Sequence, residues 1–201
     1  MAKRVRTMLV VLIQEVRRTT ARGVTRRMVG RVDHRLAPGS TRTFALLERI
    51  ASVGPRQFAL CYPGIEIDVV ESEDYVIDLA RSFYGLDDIP RLTVHHAEGA
   101  SFLEGATEGS WDIIVVDAYE SDELGDGFYG RAFFRALRER LRPGGAFAFN
   151  VVGALDGSGA VRSVVRAAAS VFDDVRLVPV MTTTETCDPS TVRNVVVVGV
   201  R

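Results

Sequence analysis

The sequence of 201 residues has few cysteines and histidines and no long apolar run, and each scarcity argues against a functional class. Its two cysteines lie far apart, so we expect reduced thiols in a cytoplasm rather than a disulfide framework or a cysteine-rich zinc site. Of its three histidines, His95 and His96 are adjacent and would point to opposite faces of a strand, so no metal site is predicted. The apolar run at residues 8–13 is far too short to cross a bilayer, and no membrane partner is expected.

Lysine is almost absent as well, with Lys3 as its single example, and the positive charge lies mostly on arginines near the start. Residues 1–42 contain eleven Lys or Arg against two acids, whereas residues 43–201 contain fourteen against twenty-four. A basic arm can bind nucleic acid, but a solvated extension is the simpler explanation, so nucleic acid is not expected as a partner. We therefore predict a poorly patterned extension over residues 1–42, in which residues 7–16 could form a strand or a short helix, and one folded domain over residues 43–201.

Short β-branched segments alternate with helical patterns from residue 65 onwards. The predicted strands are at residues 65–71, 92–95, 111–118, 146–152, 175–180 and 192–200. Strands that alternate with helices indicate βαβ units, and the short loop between the last two strands permits an antiparallel pair. The predicted fold class is α/β: a single Rossmann-like domain with a mainly parallel sheet, flanked by helices, and an antiparallel last strand.

The most informative of these segments is Trp111–Tyr119. Four consecutive branched apolar residues, 113–116, are typical of a central strand that is covered on both faces. The run stops at Asp117, which would lie at the carboxyl end of the strand, where open α/β sheets bind their ligands. Position alone leaves two interpretations open: Asp117 is a catalytic or ligand-binding carboxylate, or it caps the following loop.

Acidic residues follow three consecutive predicted strands, namely Glu71, Glu98 and Asp117. Because the carboxyl ends of parallel strands meet at one edge of a sheet, we expect these acids to lie along that edge. An acid in the position of Glu71 can accept hydrogen bonds from ribose hydroxyls, and three acids in succession favour a nucleoside-like ligand. The alternative is that each carboxylate caps the helix that follows it.

Several segments over roughly residues 58–201 resemble the polyamine (spermidine) synthases, which belong to the class I S-adenosylmethionine-dependent transferase (methyltransferase) fold. The similar segments are residues 69–73, 98–103, 111–119, 133–141, the Arg-Pro-Gly-Gly turn at 142–145, residues 152–153 and residues 193–195. The turn and the strand-end acids are shared with many methyltransferases. The combination with Asp-Ala-Tyr-Glu at 117–120, with Phe133-Phe134 and with the predicted strand that contains Arg193-Asn194 favours the synthases.

On the nucleoside side, the resemblance implies S-adenosylmethionine or its decarboxylated form as co-substrate, without a metal. Glu71 would bind the ribose hydroxyls, with Ser72 beside it among the cofactor-binding residues. Glu98 and Gly99 stand where the family's Asp-Gly or Asp-Ala pair meets adenine.

On the amine side, the resemblance implies aminopropyl transfer to a small diamine. Asp117 would orient and deprotonate the attacking amine and is also expected among the cofactor-binding residues. Ala118 would lie beside it at the co-substrate, and Tyr119 and Glu120 would contact the amine substrate. An amine that is protonated at neutral pH is a poor nucleophile, so a carboxylate that binds it and accepts its proton supplies both positioning and general base catalysis. A homodimer is compatible with the resemblance.

The sequence departs from the family at the glycine-rich loop that follows the family's first strand. Residues 46–56, where this loop is expected, contain a single glycine, Gly54, and bulky side chains such as Arg49 and Ile50 would crowd the ligand. Two alternatives to aminopropyl transfer therefore stand. One is a small-molecule methyltransferase that uses S-adenosylmethionine, and the other is a catalytically silent nucleoside-binding or dimerisation module with a degraded loop.

Overall fold

The computed structural model describes residues 6–13, 53–62, 64–119, 130–181 and 186–201, and this part of the chain forms a seven-stranded sheet with helices on both faces. The strands are β1 Arg6–Ile13, β2 Glu66–Glu71, β3 Leu92–His96, β4 Trp111–Tyr119, β5 Leu141–Gly153, β6 Val175–Pro179 and β7 Arg193–Val200. The helices are α1 Val53–Cys61, α2 Asp74–Tyr84, α3 Gly99–Gly105, α4 Arg131–Arg140 and α5 Gly159–Ala169, with a short 3₁₀ helix at Leu86–Asp88. Among the described residues, no helix combines the length and the apolar character that a bilayer crossing requires.

The strands follow the order β3-β2-β1-β4-β5-β7-β6 across the sheet. Strands β1 to β5 pair in parallel, and β7 is antiparallel to both β5 and β6. The predicted α/β class with an antiparallel last strand is therefore confirmed. Because the connections reverse direction between β1 and β4, the carboxyl ends of these two strands form the crevice at which open α/β sheets bind ligands.

Strand β1 changes the predicted division of the chain. It pairs with β2 on one side and with β4 on the other, so residues 6–13 are a central strand of the sheet and not part of a separate extension. The six apolar residues at 8–13 fit either a strand or a short helix by themselves, and the neighbouring strands settle the choice. Residues 14–42 lie outside the described residues, so the rest of the extension stays a prediction.

The glycine-rich loop is expected at residues 46–56, and the part of this segment that the structure describes contradicts that expectation. Gly54 and Arg56 belong to α1, which leads into β2, so they do not directly follow the first strand of the sheet. The first strand is β1, and the residues that come next, 14–52, lie outside the described residues. The scarcity of glycine at residues 46–56 therefore does not by itself indicate a degraded loop.

The Arg-Pro-Gly-Gly segment is an irregular stretch within β5 rather than a turn that precedes it. Strand β4 advances by two residues, from Trp111 to Ile113, while β5 advances from Leu141 to Ala146, so the extra residues of β5 form a bulge. At Gly145, a Cβ would come within 2.8 Å of the carbonyl oxygen of Asp112, which explains why glycine is needed there.

A buried carboxylate connects β2, β3 and β4. Asp68 is 5% exposed, and its Oδ2 accepts a hydrogen bond from Trp111 Nε1 at 2.9 Å. Its Oδ1 lies 2.9 Å from His95 Nε2, and the ring of Phe102 packs on His95 with a centroid distance of 4.6 Å. Since an unpartnered buried carboxylate would be costly, these contacts hold the three strands in a defined relative position and thereby place their carboxyl ends.

Gly199 of β7 lies against the aromatic ring of Phe147, and a Cβ at Gly199 would overlap that ring. We expect Gly199→Ala to lower the free energy of unfolding by about 1–3 kcal/mol, because a close-packed core accepts an extra methyl group only by shifting. Chemical denaturation measures the change. Gly105→Ala is the matched control, since a Cβ at Gly105 meets no atom within 4 Å. An equal loss in both variants would contradict the packing explanation.

Candidate functional site

Two of the three strand-end acids lie at the same level of the sheet. Val11 of β1 pairs in register with Glu71 of β2 and with Asp117 of β4. Neighbouring strands are about 4.8 Å apart, so the two acidic residues are separated by roughly 10 Å across β1. Val69 and Val115, two residues earlier on each strand, pack in one apolar cluster and therefore share a face. Both carboxylates accordingly lie on one side of the crevice between the carboxyl ends of β1 and β4.

Glu71 is a buried carboxyl group, only 2% exposed, at the end of β2. Its Oε1 accepts a hydrogen bond from the backbone N–H of Glu73 at 2.9 Å, whereas its Oε2 is buried without a partner among the described residues. Burial raises the pKa of Glu71 to about 7, although the hydrogen bond from Glu73 opposes this rise. An unsatisfied buried oxygen is costly, so a hydroxyl group of a ligand would be stabilising at this position.

The backbone that follows Glu71 is held by the end of β3. His96 Nε2 lies 3.0 Å from the carbonyl oxygen of Ser72, and the N–H of Ala97 donates to the carbonyl of Glu71 at 3.0 Å. The hydroxyl of Ser72 is itself buried, and it lies close enough to the carboxyl group of Glu71 to lower the pKa of that group slightly against the effect of burial. The structure thus places Ser72 next to Glu71 at the crevice, while their role towards a ligand stays a prediction.

Glu98 binds the start of the helix that follows it. Its Oε1 accepts from the N–H of Ala100 at 3.0 Å, and its Oε2 accepts from the N–H of Ser101 at 2.8 Å. This is the capping arrangement that the sequence leaves open as the alternative, and it satisfies two N–H groups at the start of α3. Gly99 is buried as the first residue of α3. A contact of Glu98 and Gly99 with adenine stays a prediction, and Glu98 would have to make it while capping α3.

Asp117 is held by an amide group from the neighbouring strand. Asn150 of β5 donates from its Nδ2 to Asp117 Oδ1 at 2.9 Å, and the same Nδ2 donates to Oδ1 of Asn194 on β7 at 3.2 Å. Asp117 is half-buried, and its Oδ2 accepts no hydrogen bond from the described residues. The arrangement can receive a hydrogen-bond donor at one carboxylate oxygen while the other oxygen is held in place.

The sequence interpretation misses Asn150, although one signal for it is visible. It is a polar residue inside the apolar run at residues 146–152, where an amide that is partly removed from water favours a hydrogen-bonding partner. Asn194 belongs to the segment 193–195 that resembles the family, but its contact with Asn150 is set by the register of β7 on β5 and is not predicted from the sequence.

The remaining predicted site residues follow Asp117 directly. Ala118 and Tyr119 are the last two residues of β4, and Glu120 lies outside the described residues. Their contacts with a co-substrate or an amine stay predictions. Within the described ranges, no three His, Cys, Asp or Glu residues are grouped so that they could hold a metal ion.

The sheet order and its antiparallel last strand define a Rossmann-like α/β fold of the kind found in S-adenosylmethionine-dependent methyltransferases. The family model described as the spermine/spermidine synthase domain matches residues 60–187, which is more than half of the chain. The chain belongs to this family, and the resemblance noted in its sequence is confirmed.

Two named relatives and one solved structure illustrate this similarity. Putrescine N-methyltransferase 1 of Nicotiana tabacum is 42% identical over 94 residues, which cover 43% of this chain and 24% of the relative. Spermidine synthase of Coffea arabica is 34% identical over 87 residues, which cover 40% of this chain and 27% of the relative. The crystal structure of a probable spermidine synthase from Corynebacterium glutamicum has a TM-score of 0.62 at 23% identity, covering 73% of this chain and 51% of that one. The chain thus covers about a quarter of the length of the two relatives, and the structural likeness concerns the fold.

The raised pKa of Glu71 predicts a pH-dependent stability. The carboxyl group keeps its proton up to a pKa of about 7 in the folded protein, against an ordinary value of 4.5. The unfolded chain therefore releases this proton first as the pH rises. The free energy of unfolding should fall between about pH 4.5 and pH 7, by on the order of 3 kcal/mol, and stay lowered above that range. Urea denaturation at a series of pH values measures this trend.

The variant Glu71→Gln isolates the contribution of this group, because the amide does not titrate. We expect its stability relative to the wild type to increase as the pH rises through this range. Glu104→Gln changes an exposed glutamate of α3 and is the matched control, which should show no such trend. A constant difference in stability between wild type and Glu71→Gln across the range would contradict the burial argument.

Proposed function

We propose that the protein transfers an alkyl group from a nucleoside of the S-adenosylmethionine type to a nitrogen of a diamine, and that the first candidate is aminopropyl transfer from decarboxylated S-adenosylmethionine. The observation that supports this most directly is the state of Asp117 at the carboxyl end of β4. Its Oδ1 is held by Asn150, and its Oδ2 accepts no hydrogen bond from the described residues. Such a carboxylate can bind an amine N–H and take its proton. Family membership supports a polyamine as the substrate.

The residues of the crevice fit the co-substrate. The buried Oε2 of Glu71 has no partner in the described part of the chain, and a ribose hydroxyl would satisfy it. Glu71 and Ser72 would hold the ribose, and Glu98 with Gly99 would lie at the adenine. When bound, the co-substrate supplies an electrophilic carbon attached to a positively charged sulfur. No metal is part of the proposal.

Asp117 acts on the diamine. A protonated nitrogen has no lone pair, so the transfer requires a group that accepts its proton. Asp117 binds the ammonium group, directs the nitrogen into the crevice and takes the proton, which passes on to solvent. The freed lone pair forms the new C–N bond as the C–S bond breaks, and the sulfur leaves as a neutral thioether. Ala118 would line the co-substrate, and Tyr119 and Glu120 would line the amine.

The second candidate is methyl transfer from S-adenosylmethionine to the same nitrogen. It is favoured by the 42% identity to a protein named putrescine N-methyltransferase. Both reactions need a proton acceptor at the nitrogen and a departing thioether, and they differ in the alkyl group on the sulfur. The third candidate is a catalytically silent nucleoside-binding or dimerisation module. A homodimer and a cytoplasmic location also stay predictions.

Calorimetry with three nucleosides separates these candidates: decarboxylated S-adenosylmethionine, S-adenosylmethionine and methylthioadenosine. Binding of the decarboxylated form together with putrescine-dependent transfer supports the synthase. Binding of S-adenosylmethionine with transfer of its methyl group supports the methyltransferase. Binding without transfer would leave the silent nucleoside-binding module, and the absence of heat with all three would leave the silent dimerisation module.

The variant Asp117→Asn keeps the size of the side chain but cannot accept the proton. We expect putrescine-dependent turnover to fall by about a hundredfold or more, since general base catalysis contributes factors of this size, while nucleoside binding changes little. Steady-state kinetics and calorimetry measure the two effects. Asp173→Asn, in an exposed loop after α5, is the control and should behave like the wild type. Unchanged turnover in Asp117→Asn would remove Asp117 from the mechanism.

A further inference from the structure

We infer that Asn150 and Asn194 form a positioning pair for Asp117, an inference that rests on the function proposed above. They are the only two asparagines in the sequence, and they lie 44 residues apart. In the fold they are hydrogen-bonded to each other, and Asn150 is also bonded to Asp117. Strands β4, β5 and β7 each contribute one of these three residues. We call Asn150 and Asn194 the amide pair, and the carboxylate that they hold is that of Asp117.

The amide of Asn150 has one favourable orientation in this arrangement. Both atoms that face it are oxygens, Asp117 Oδ1 at 2.9 Å and Asn194 Oδ1 at 3.2 Å, so its two N–H donors must point towards them. The reversed amide would place a carbonyl oxygen against the carboxylate and repel it. Asn194, although its residue is exposed, therefore occupies the second donor of Asn150 and favours the orientation of the amide that faces Asp117.

The amide pair is built on strands that are anchored in the core. Asn150 pairs in register with Val196, and Val152 pairs with Asn194, so the two asparagines are diagonal neighbours on one face of the antiparallel ladder. Phe149, the residue before Asn150, is buried on the other face. Side chains on strands that are packed in this way are placed more accurately than side chains on loops.

In the proposed reaction, the two carboxylate oxygens of Asp117 therefore have different roles. Oδ1 is occupied by the Asn150 donor, which leaves Oδ2 for the diamine nitrogen. The bond from Asn150 fixes the orientation of the carboxylate, and a hydrogen bond to a charged group is stronger than a neutral one. Asn150 and Asn194 thus act through Asp117 as positioning residues.

Asn150→Ala tests this role by removing the donor. We expect kcat/KM for putrescine to fall by about ten- to a hundredfold, mainly through kcat, because a hydrogen bond to a charged group is lost. The affinity for methylthioadenosine, measured by calorimetry, should change little, because Asn150 acts at the amine side. Asn194→Ala keeps the bond to Asp117 but removes the second anchor, so we expect a smaller loss in the same direction.

Asn150→Asp separates positioning from a merely structural role. It places a second carboxylate at hydrogen-bond distance from Asp117, and two such groups disfavour each other's ionisation, so that the second proton is lost at a higher pH than from a single carboxyl group. The acid limb of the pH profile of kcat/KM should therefore move to higher pH, and turnover should recover as the pH rises. Glu71, two strands away, is the other strand-end carboxylate on this face of the described sheet and is unchanged. Gln57→Glu adds the same charge on exposed α1 and should leave the profile as in the wild type.

Wild-type kinetics in Asn150→Ala, together with an unmoved acid limb in Asn150→Asp, would overturn the positioning role and leave the proposed function intact. A variant that merely loses stability would lose turnover at every pH without a shift of the limb, which would also overturn it. If the wild-type protein itself neither binds nor alkylates putrescine, the proposed function fails, and the role of the amide pair fails with it.

Discussion

Strand β1 is hydrogen-bonded on both sides, to β2 and to β4, and the geometry of the crevice depends on this double pairing. Through Val11, it sets Glu71 and Asp117 at one level and on one face of the sheet. A slip of β4 by one residue would turn Asp117 to the opposite face, because side chains alternate along a strand. Buried Asp68 resists such a slip, since its carboxylate is bonded to Trp111 of β4 as well as to β3.

The three strand-end acids are the same kind of group in three different environments. Glu98 uses both oxygens on the first turn of α3, which makes it part of the scaffold. Glu71 is buried and has a pKa of about 7, so near neutral pH it can either accept a hydrogen bond or donate one to a ligand. Asp117 is half-buried and held by an amide, which suits a group that must receive a proton. Environments that differ in this way are how carboxylates on one fold take on different tasks.

Much of the fold can be predicted from the sequence, because the strands at Glu66–Glu71 and Trp111–Tyr119 and the helices between them have clear periodicities. Strand β1 cannot, since a short apolar run among arginines fits a strand or a helix until its neighbours are known. The task of Glu98 cannot be settled either, because a carboxylate before a helix suits a cap and a ligand equally well. The contact between Asn150 and Asn194 depends on the register of an antiparallel pair, which the residues themselves do not specify.

The family match covers only part of the candidate site and of the strands that position it. The match at residues 60–187 contains Glu71, Asp117 and Asn150, but Asn194 and the whole of β1 lie outside it. In the sheet these outlying parts lie between matched strands: β1 lies between β2 and β4 and sets the level of the acids, and β7 lies between β5 and β6 and carries Asn194, which is bonded to the amide that holds Asp117. Family membership therefore indicates a class of chemistry, and the support of the carboxylate has to be found in the three-dimensional structure. In the proposed reactions that support would act on the nitrogen in the same way for aminopropyl and for methyl transfer, so the choice between the two depends on how the crevice receives the alkyl group on the sulfur.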